Sequence, residues 1–144
     1  MPRLAAVLLA LSLLSAAPPP QMTVFKTATC GCCAKWVELV RAAGFRVTVK
    51  EVASTAAARQ SAGIPEKYGS CHTALIAGYA LEGHVPIADI QKLLREKPKA
   101  RGLSVPGMPM GSPGMEGPYK DAYAVMLIGT PDGNSVYHQY PGSR

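Results

Sequence analysis

The sequence predicts an α/β fold, and three observations carry that reading. An apolar run at Met22–Thr27 is followed by apolar residues at helical spacing and then by strict alternation, which together make a strand, a helix and a strand. Short joins between them imply a βαβ unit with a parallel strand pair. A second helix, two short strands about Gly78 and an amphipathic last helix then complete a β-α-β-α-β-β-α order over residues 22–97. Beyond it lie a Gly/Pro/Met-rich loop and a C-terminal β-hairpin.

Each element has a local cause. Residues 22–27 form the first strand, and residues 32–43 form a helix with Trp36, Leu39, Val40 and Ala43 on one side. Gly44 ends that helix at the position that favours a left-handed residue. Phe45, Val47 and Val49 alternate with Arg46, Thr48 and Lys50, the pattern of a half-buried strand. Ser54 is placed to cap a short Ala-rich helix over residues 55–61, which Gly63-Ile64-Pro65 breaks. A loop over residues 66–71 leads to a third strand at 73–77, and Gly78 turns the chain into an antiparallel fourth at 79–82. Pro86 suits the first turn of the last helix, in which Ile87, Ile90 and Leu94 line one face and Gln91, Lys92 and Arg95 the other. From Pro98 to Tyr119 there is little periodicity. Residues 123–128 and 135–140 are strands joined by the turn Thr130-Pro131-Asp132-Gly133-Asn134, and they form a terminal hairpin at the sheet edge.

The start of the chain has the form of an export signal. Met1-Pro2-Arg3 is short and positive, Leu4–Leu14 is apolar but too short to span a bilayer, and Ser15-Ala16-Ala17 supplies small residues. Residues 1–17 are therefore expected to be a cleaved signal peptide, Pro18-Pro19-Pro20 with Gln21 a stiff linker, and residues 22–144 one domain in the periplasm, with no transmembrane span in the mature chain. The net charge of +6 is scattered, without a basic run interleaved with aromatics, so nucleic acid is not an expected partner.

The chemistry gathers at Thr29-Cys30-Gly31-Cys32-Cys33, between the first strand and the first helix. Free backbone N–H groups and the positive end of the helix dipole favour thiolate there, and a thiolate is both nucleophile and metal ligand. Cys30 and Cys33 make a C-x-x-C, and Cys32 is a third thiol that a plain dithiol switch does not need. The remaining cysteine, Cys71, is followed at once by His72. Thiolates are soft donors that select Cu(I), zinc or iron–sulfur centres. A zinc ribbon needs a second C-x-x-C, which is absent. Copper accounts for the third thiol, the export signal and the neighbouring methionines together. The candidate metal ligands are thus Cys30, Cys32, Cys33 and Cys71 with His72 as imidazole, and Met108, Met110 and Met115 as further thioether donors.

Two other readings of the cysteines stay open. Cys30 and Cys33 could serve a dithiol–disulfide oxidoreductase, Cys30 attacking and Cys33 resolving. In an oxidising compartment, Cys30–Cys33 and Cys32–Cys71 could also pair as structural bonds. His84 reads as a solvated loop residue and His138 as a strand-face residue, and neither is assigned a role. No Ser-His-Asp order, paired carboxylate motif or phosphate-binding loop is present.

The element order, with C-x-x-C after the first strand, resembles the thioredoxin-like fold. In that fold the loop before the third strand faces the C-x-x-C, so the resemblance implies that Ser70-Cys71-His72-Thr73 lies beside Cys30, Cys32 and Cys33. More closely, the chain resembles the CopG-type periplasmic copper proteins, long catalogued as a domain of unknown function. The likeness rests on Thr29-Cys30-Gly31-Cys32-Cys33 with Trp36, on Ser70-Cys71-His72-Thr73, on Glu82-Gly83-His84-Val85-Pro86, on Val105-Pro106-Gly107-Met108-Pro109 and on Gly111-Ser112-Pro113-Gly114-Met115-Glu116. It implies a thioredoxin-like domain of a bacterial copper-resistance system, working with other periplasmic copper-handling proteins. It implies, too, that Cys30, Cys32, Cys33, Cys71 and His72 hold one or more copper ions and support Cu(I)/Cu(II) interconversion.

Overall fold

The computed structural model describes residues 18–144. The expected signal peptide, residues 1–17, lies outside the described residues. Strand β1 (Gln21–Lys26) leads into helix α1 (Gly31–Ala42), and strand β2 (Arg46–Glu51) returns parallel to β1. Helix α2 (Ala56–Ser61) and a 3-10 turn (Glu66–Tyr68) precede the antiparallel pair β3 (Thr73–Ile76) and β4 (Tyr79–Glu82). Helix α3 (Ile87–Glu96) is followed by β5 (Gly102–Ser104), β6 (Tyr123–Thr130) and β7 (Gly133–Tyr140). All seven strands form one sheet in the order β2-β1-β3-β4-β5-β6-β7. Among the described residues no helix is long and apolar enough to cross a membrane.

The main core lies between one sheet face and helices α1 and α3. Trp36, Val37 and Val40 of α1 and Ile90 and Leu93 of α3 pack on Met22, Val24, Ala74, Ile76, Leu81, Leu103 and Val125. A smaller cluster joins Ala62 and Ile64, just after α2, to Ala80 and Ile128. Ala80 and Leu81 are neighbours on one strand and so point to opposite faces, which puts α2 on the far side of the sheet from α1 and α3.

The expected order of elements over residues 22–97 is present, with boundaries shifted by a residue or so. Gly44 ends α1 with φ +93°. Gln21, expected in the linker, already belongs to β1. Ser54 accepts the Ala56 N–H at 3.3 Å, but Thr55 stands at the cap position. Pro86 is itself the residue before α3, with extended ψ of 142°, rather than inside its first turn. Leu93 rather than Leu94 is fully buried in that helix, together with Ile90, and Ile87 and Leu94 are half-buried beside them. Leu39 of α1 faces outward at 41% exposure.

Strand β5 corrects the expected layout. Residues 102–104 fall in a stretch read as aperiodic, and three residues are too few for a period to register. The strand runs parallel to β4 and antiparallel to β6. The hairpin of β6 and β7 therefore joins the sheet through β5 rather than directly at β4. Gly102 makes this possible: a Cβ there would stand 1.8 Å from the Ala80 carbonyl oxygen. We predict that Gly102→Ala destabilises the fold by about 2–3 kcal/mol, as overpacking does, whereas Gly44→Ala, which meets nothing within 4 Å, costs about 1 kcal/mol through its positive φ alone. Urea denaturation of the two variants checks the ranking.

Candidate metal centre

The centre is assembled where the end of β1, the start of α1 and the start of β3 meet. The Cys30 N–H donates to the Thr27 carbonyl at 3.2 Å, closing the turn after β1, and Cys30 then occupies the cap of α1 with extended backbone. Its carbonyl accepts the Ala34 N–H at 3.2 Å, the first helical bond. Cys32 and Cys33 lie in the first turn, where Cys33 is fully buried. Cys30 and Cys33 are joined as a disulfide, whereas Cys32 and Cys71 are free. The second structural bond considered from the sequence, Cys32–Cys71, is not formed. Cys32 Sγ stands 3.6 Å from Cys30 Sγ.

Cys71 and His72 arrive just before β3. Because the strand begins only at Thr73, alternation does not yet force the two side chains apart. Cys71 Sγ lies 3.4 Å from His72 Nδ1 and 3.0 Å from His84 Nε2. His84, which the sequence did not distinguish from a solvated loop residue, is fully buried. Its Nδ1 donates to the Pro113 carbonyl at 2.7 Å. A carbonyl can only accept, so the proton sits on Nδ1 and Nε2 presents a lone pair toward the sulfur. The signal that could have found it is Gly83, which turns the chain after β4 with φ +73° and donates its N–H to the His72 carbonyl at 2.9 Å.

His72 packs on the indole of Trp36, with ring centroids 4.4 Å apart, and its Nε2 has no hydrogen-bond partner. A buried imidazole nitrogen without a partner is costly, and a metal ion is one group that would satisfy it. Two overlapping sets of donor atoms result. Cys30, Cys32, Cys33 and Cys71 lie within 4.8 Å of one another, as do Cys33, Cys71, His72 and His84.

The Gly/Pro/Met-rich segment is a strap across this centre. Gly107 N–H donates to the Gly69 carbonyl at 3.0 Å, and Gly114 lies so close that a Cβ would stand 2.9 Å from the Cys32 carbonyl oxygen. Among the three methionines, Met108 is 53% exposed and lines a surface groove with Pro106, Pro109, Tyr123 and Met126. Met110 and Met115 are half-buried, and Met115 adjoins the glycine that touches the cysteine turn. His138 is elsewhere: its Nδ1 donates to Asp89 at 2.8 Å, and Tyr140 donates to the same carboxylate at 2.7 Å, clamping β7 to α3.

A family described as "Protein of unknown function, DUF411" matches residues 68–115, the span that holds Cys71, His72, His84 and most of the strap. No curated protein matches the chain. Two solved structures, titled copper resistance protein CopG form 2 and form 1, are 47% and 48% identical to it. They cover 85% and 86% of this chain and 99% of their own, each with a TM-score of 0.79. The chain belongs to the CopG family.

The electrostatics of this CopG-family centre favour the neutral forms of Cys71, His72 and His84. Burial pushes the Cys71 thiol up to about 11, against a smaller opposing effect of the Ser70 hydroxyl. Burial likewise lowers His72 to about 3, helped by the neighbouring charges His84 and Lys26 would carry. His84 is lowered for the same reason, with the Pro113 carbonyl and Glu116 acting against it. Glu116 itself is held below the usual carboxylate range, chiefly by the Gly114 N–H.

Two predictions follow from this state. The non-reduced, metal-free chain titrates two thiols with an aromatic disulfide reagent under denaturing conditions, and four after reduction. In the folded state His72 and His84 resist protonation, while the unfolded chain takes up protons below about pH 6.5. Stability therefore falls as pH drops from about 6.5 toward 3 on account of His72, by up to about 1.4 kcal/mol per pH unit, and His84 acts in the same direction. Replacing His72 with Phe flattens this slope in pH-dependent denaturation.

Proposed function

We propose that this chain is an exported copper-binding protein that holds Cu(I) in its cysteine cluster and takes part in copper resistance. The observation that carries the reading is the pair of overlapping donor sets, soft sulfur on one side and sulfur with two neutral imidazoles on the other. Soft thiolates favour Cu(I), and imidazole suits several transition metals including copper. The relatives' titles name copper resistance, which agrees with that chemistry. Cys30, Cys32, Cys33 and Cys71 are the proposed thiolates and His72 the proposed imidazole, to which the geometry adds His84. Of the methionines, Met115, next to the glycine that meets the cysteine turn, is the proposed thioether donor.

The disulfide supports a redox component. Reduction of Cys30–Cys33 takes two electrons and two protons and yields two thiols. Two Cu(I) ions passing to Cu(II) supply two electrons, and the reverse exchange returns them. The protein would thus couple its own thiol state to the oxidation state of copper in the periplasm, where other copper-handling proteins are its proposed partners. Cleavage of residues 1–17 on export is part of this reading, and N-terminal sequencing of the periplasmic chain would reveal it as a start near residue 18.

The same disulfide favours a second reading, a dithiol–disulfide oxidoreductase that uses Cys30 and Cys33 on protein substrates. The variants Cys32→Ser and Cys71→Ser separate the two. Under anaerobic Cu(I) titration of the reduced chain, the copper reading predicts that each loses more affinity than the ~10–100-fold typical of outer-shell changes, with fewer ions bound. Unchanged copper binding in both, together with wild-type reduction of a peptide disulfide by Cys32→Ser, would establish the second reading instead.

A further inference from the structure

Behind the centre, on the α2 side of the sheet, lies a fully buried carboxylate that belongs to neither donor set. Glu82 is the last residue of β4, and its Cα partner across the ladder is Thr73. Its Oε1 accepts from Arg59 Nε at 2.8 Å and from the Ser70 N–H at 2.7 Å. Its Oε2 accepts from the Thr73 hydroxyl at 2.6 Å. Arg59 also donates to the Ser70 carbonyl at 2.9 Å and to Glu66 on the 3-10 turn at 2.8 Å.

A buried ion pair is a poor device for stability alone, since apolar residues of like volume serve as well or better. The placement of its hydrogen bonds is informative. Ser70 and Thr73 are the two residues that flank Cys71-His72, so one carboxylate grips the chain immediately before and immediately after that pair. The next residue, Gly83, binds the His72 carbonyl and carries the chain on to His84. The three side chains that converge at Cys71 Sγ therefore hang from one frame, held from the opposite face of the sheet.

We propose that Glu82, with Arg59 as its counter-ion, is a positioning residue that sets Cys71 and His72 against His84. The inference takes its ligand, copper, from the reading above, but its geometry does not depend on that reading.

The test compares Glu82→Gln and Thr73→Val with Asp89→Asn, which loosens the clamp between α3 and β7 and leaves the centre untouched. Thermal unfolding of the metal-free chains ranks their stability. The first readout needs no metal: the iodoacetamide alkylation rate of Cys71 in the folded, disulfide-oxidised chain, resolved from Cys32 by mass spectrometry. A gain of about tenfold is expected for Glu82→Gln and a smaller gain for Thr73→Val, with Asp89→Asn unchanged. The second readout is Cu(I) titration, with a ~10–100-fold loss of affinity and displaced thiolate-to-copper absorption in the first two variants only. Wild-type Cys71 reactivity in folded Glu82→Gln and Thr73→Val would overturn the proposal. So would changes that track thermal stability across all three variants, the signature of a merely structural role. Thr73→Val decides the matter if Glu82→Gln does not fold. If the wild-type chain takes up no copper, the functional reading falls and Cys71 reactivity alone decides the positioning role.

Discussion

The geometry of the centre depends on how Trp36 is held. Its indole N–H donates to the Val85 carbonyl at 3.0 Å, and its ring carries the imidazole of His72. One side chain on the second turn of α1 therefore fixes the distance from that helix to two separate stretches of chain, the segment before β3 and the turn after β4. Both stretches bring donors to the cysteine turn. A smaller residue at position 36 would remove the large apolar surface that holds the helix start in place, as well as the floor on which His72 lies. The thiols at the cap of α1 are useful because this contact brings the rest of the donors to them.

Much of this was legible in the sequence. The period of 3.6 in α1, the period of two in β2 and the turn at Gly78 were visible because each rests on several consecutive residues. The cysteine turn and the Cys71-His72 pair stood out because thiols are few and their spacing is distinctive. The contribution of His84 was hidden. Apart from the turn at Gly83, its neighbours carry no local mark of burial, and the partner of its Nδ1, Pro113, arrives from the distant strap. Strand β5 was hidden for a different reason: its pairing depends on a close backbone approach at Gly102, not on any pattern of side chains.

The chain buries several polar groups. His72, His84, Glu82, Asp89 and Lys26 are all shielded from water, each at a cost in solvation that partners must offset. Glu82 and Asp89 are well supplied with donors, and each ties two elements together. The histidines are less well supplied, and both sit within the donor sets. The contrast separates two uses of buried polarity in one small domain. Carboxylates that are fully bonded serve as fasteners, and imidazoles that are kept short of partners stay available to a ligand.

The strap also bears on how a ligand would enter. It leaves the sheet from β5 and returns to it in β6, which is the adjacent strand, so both of its ends are stitched into one ladder. It is drawn in again where Asp121 and Met110 exchange hydrogen bonds, and where Gly107 meets Gly69. Hydrogen bonds thus hold the strap between its ends as well as at them. The entropy of arranging it is lost once, when the chain folds, and not again each time the centre is filled. A ligand that settles beneath this roof finds it already in place, and the tempo of arrival and departure is left to the bonds at the sulfurs themselves.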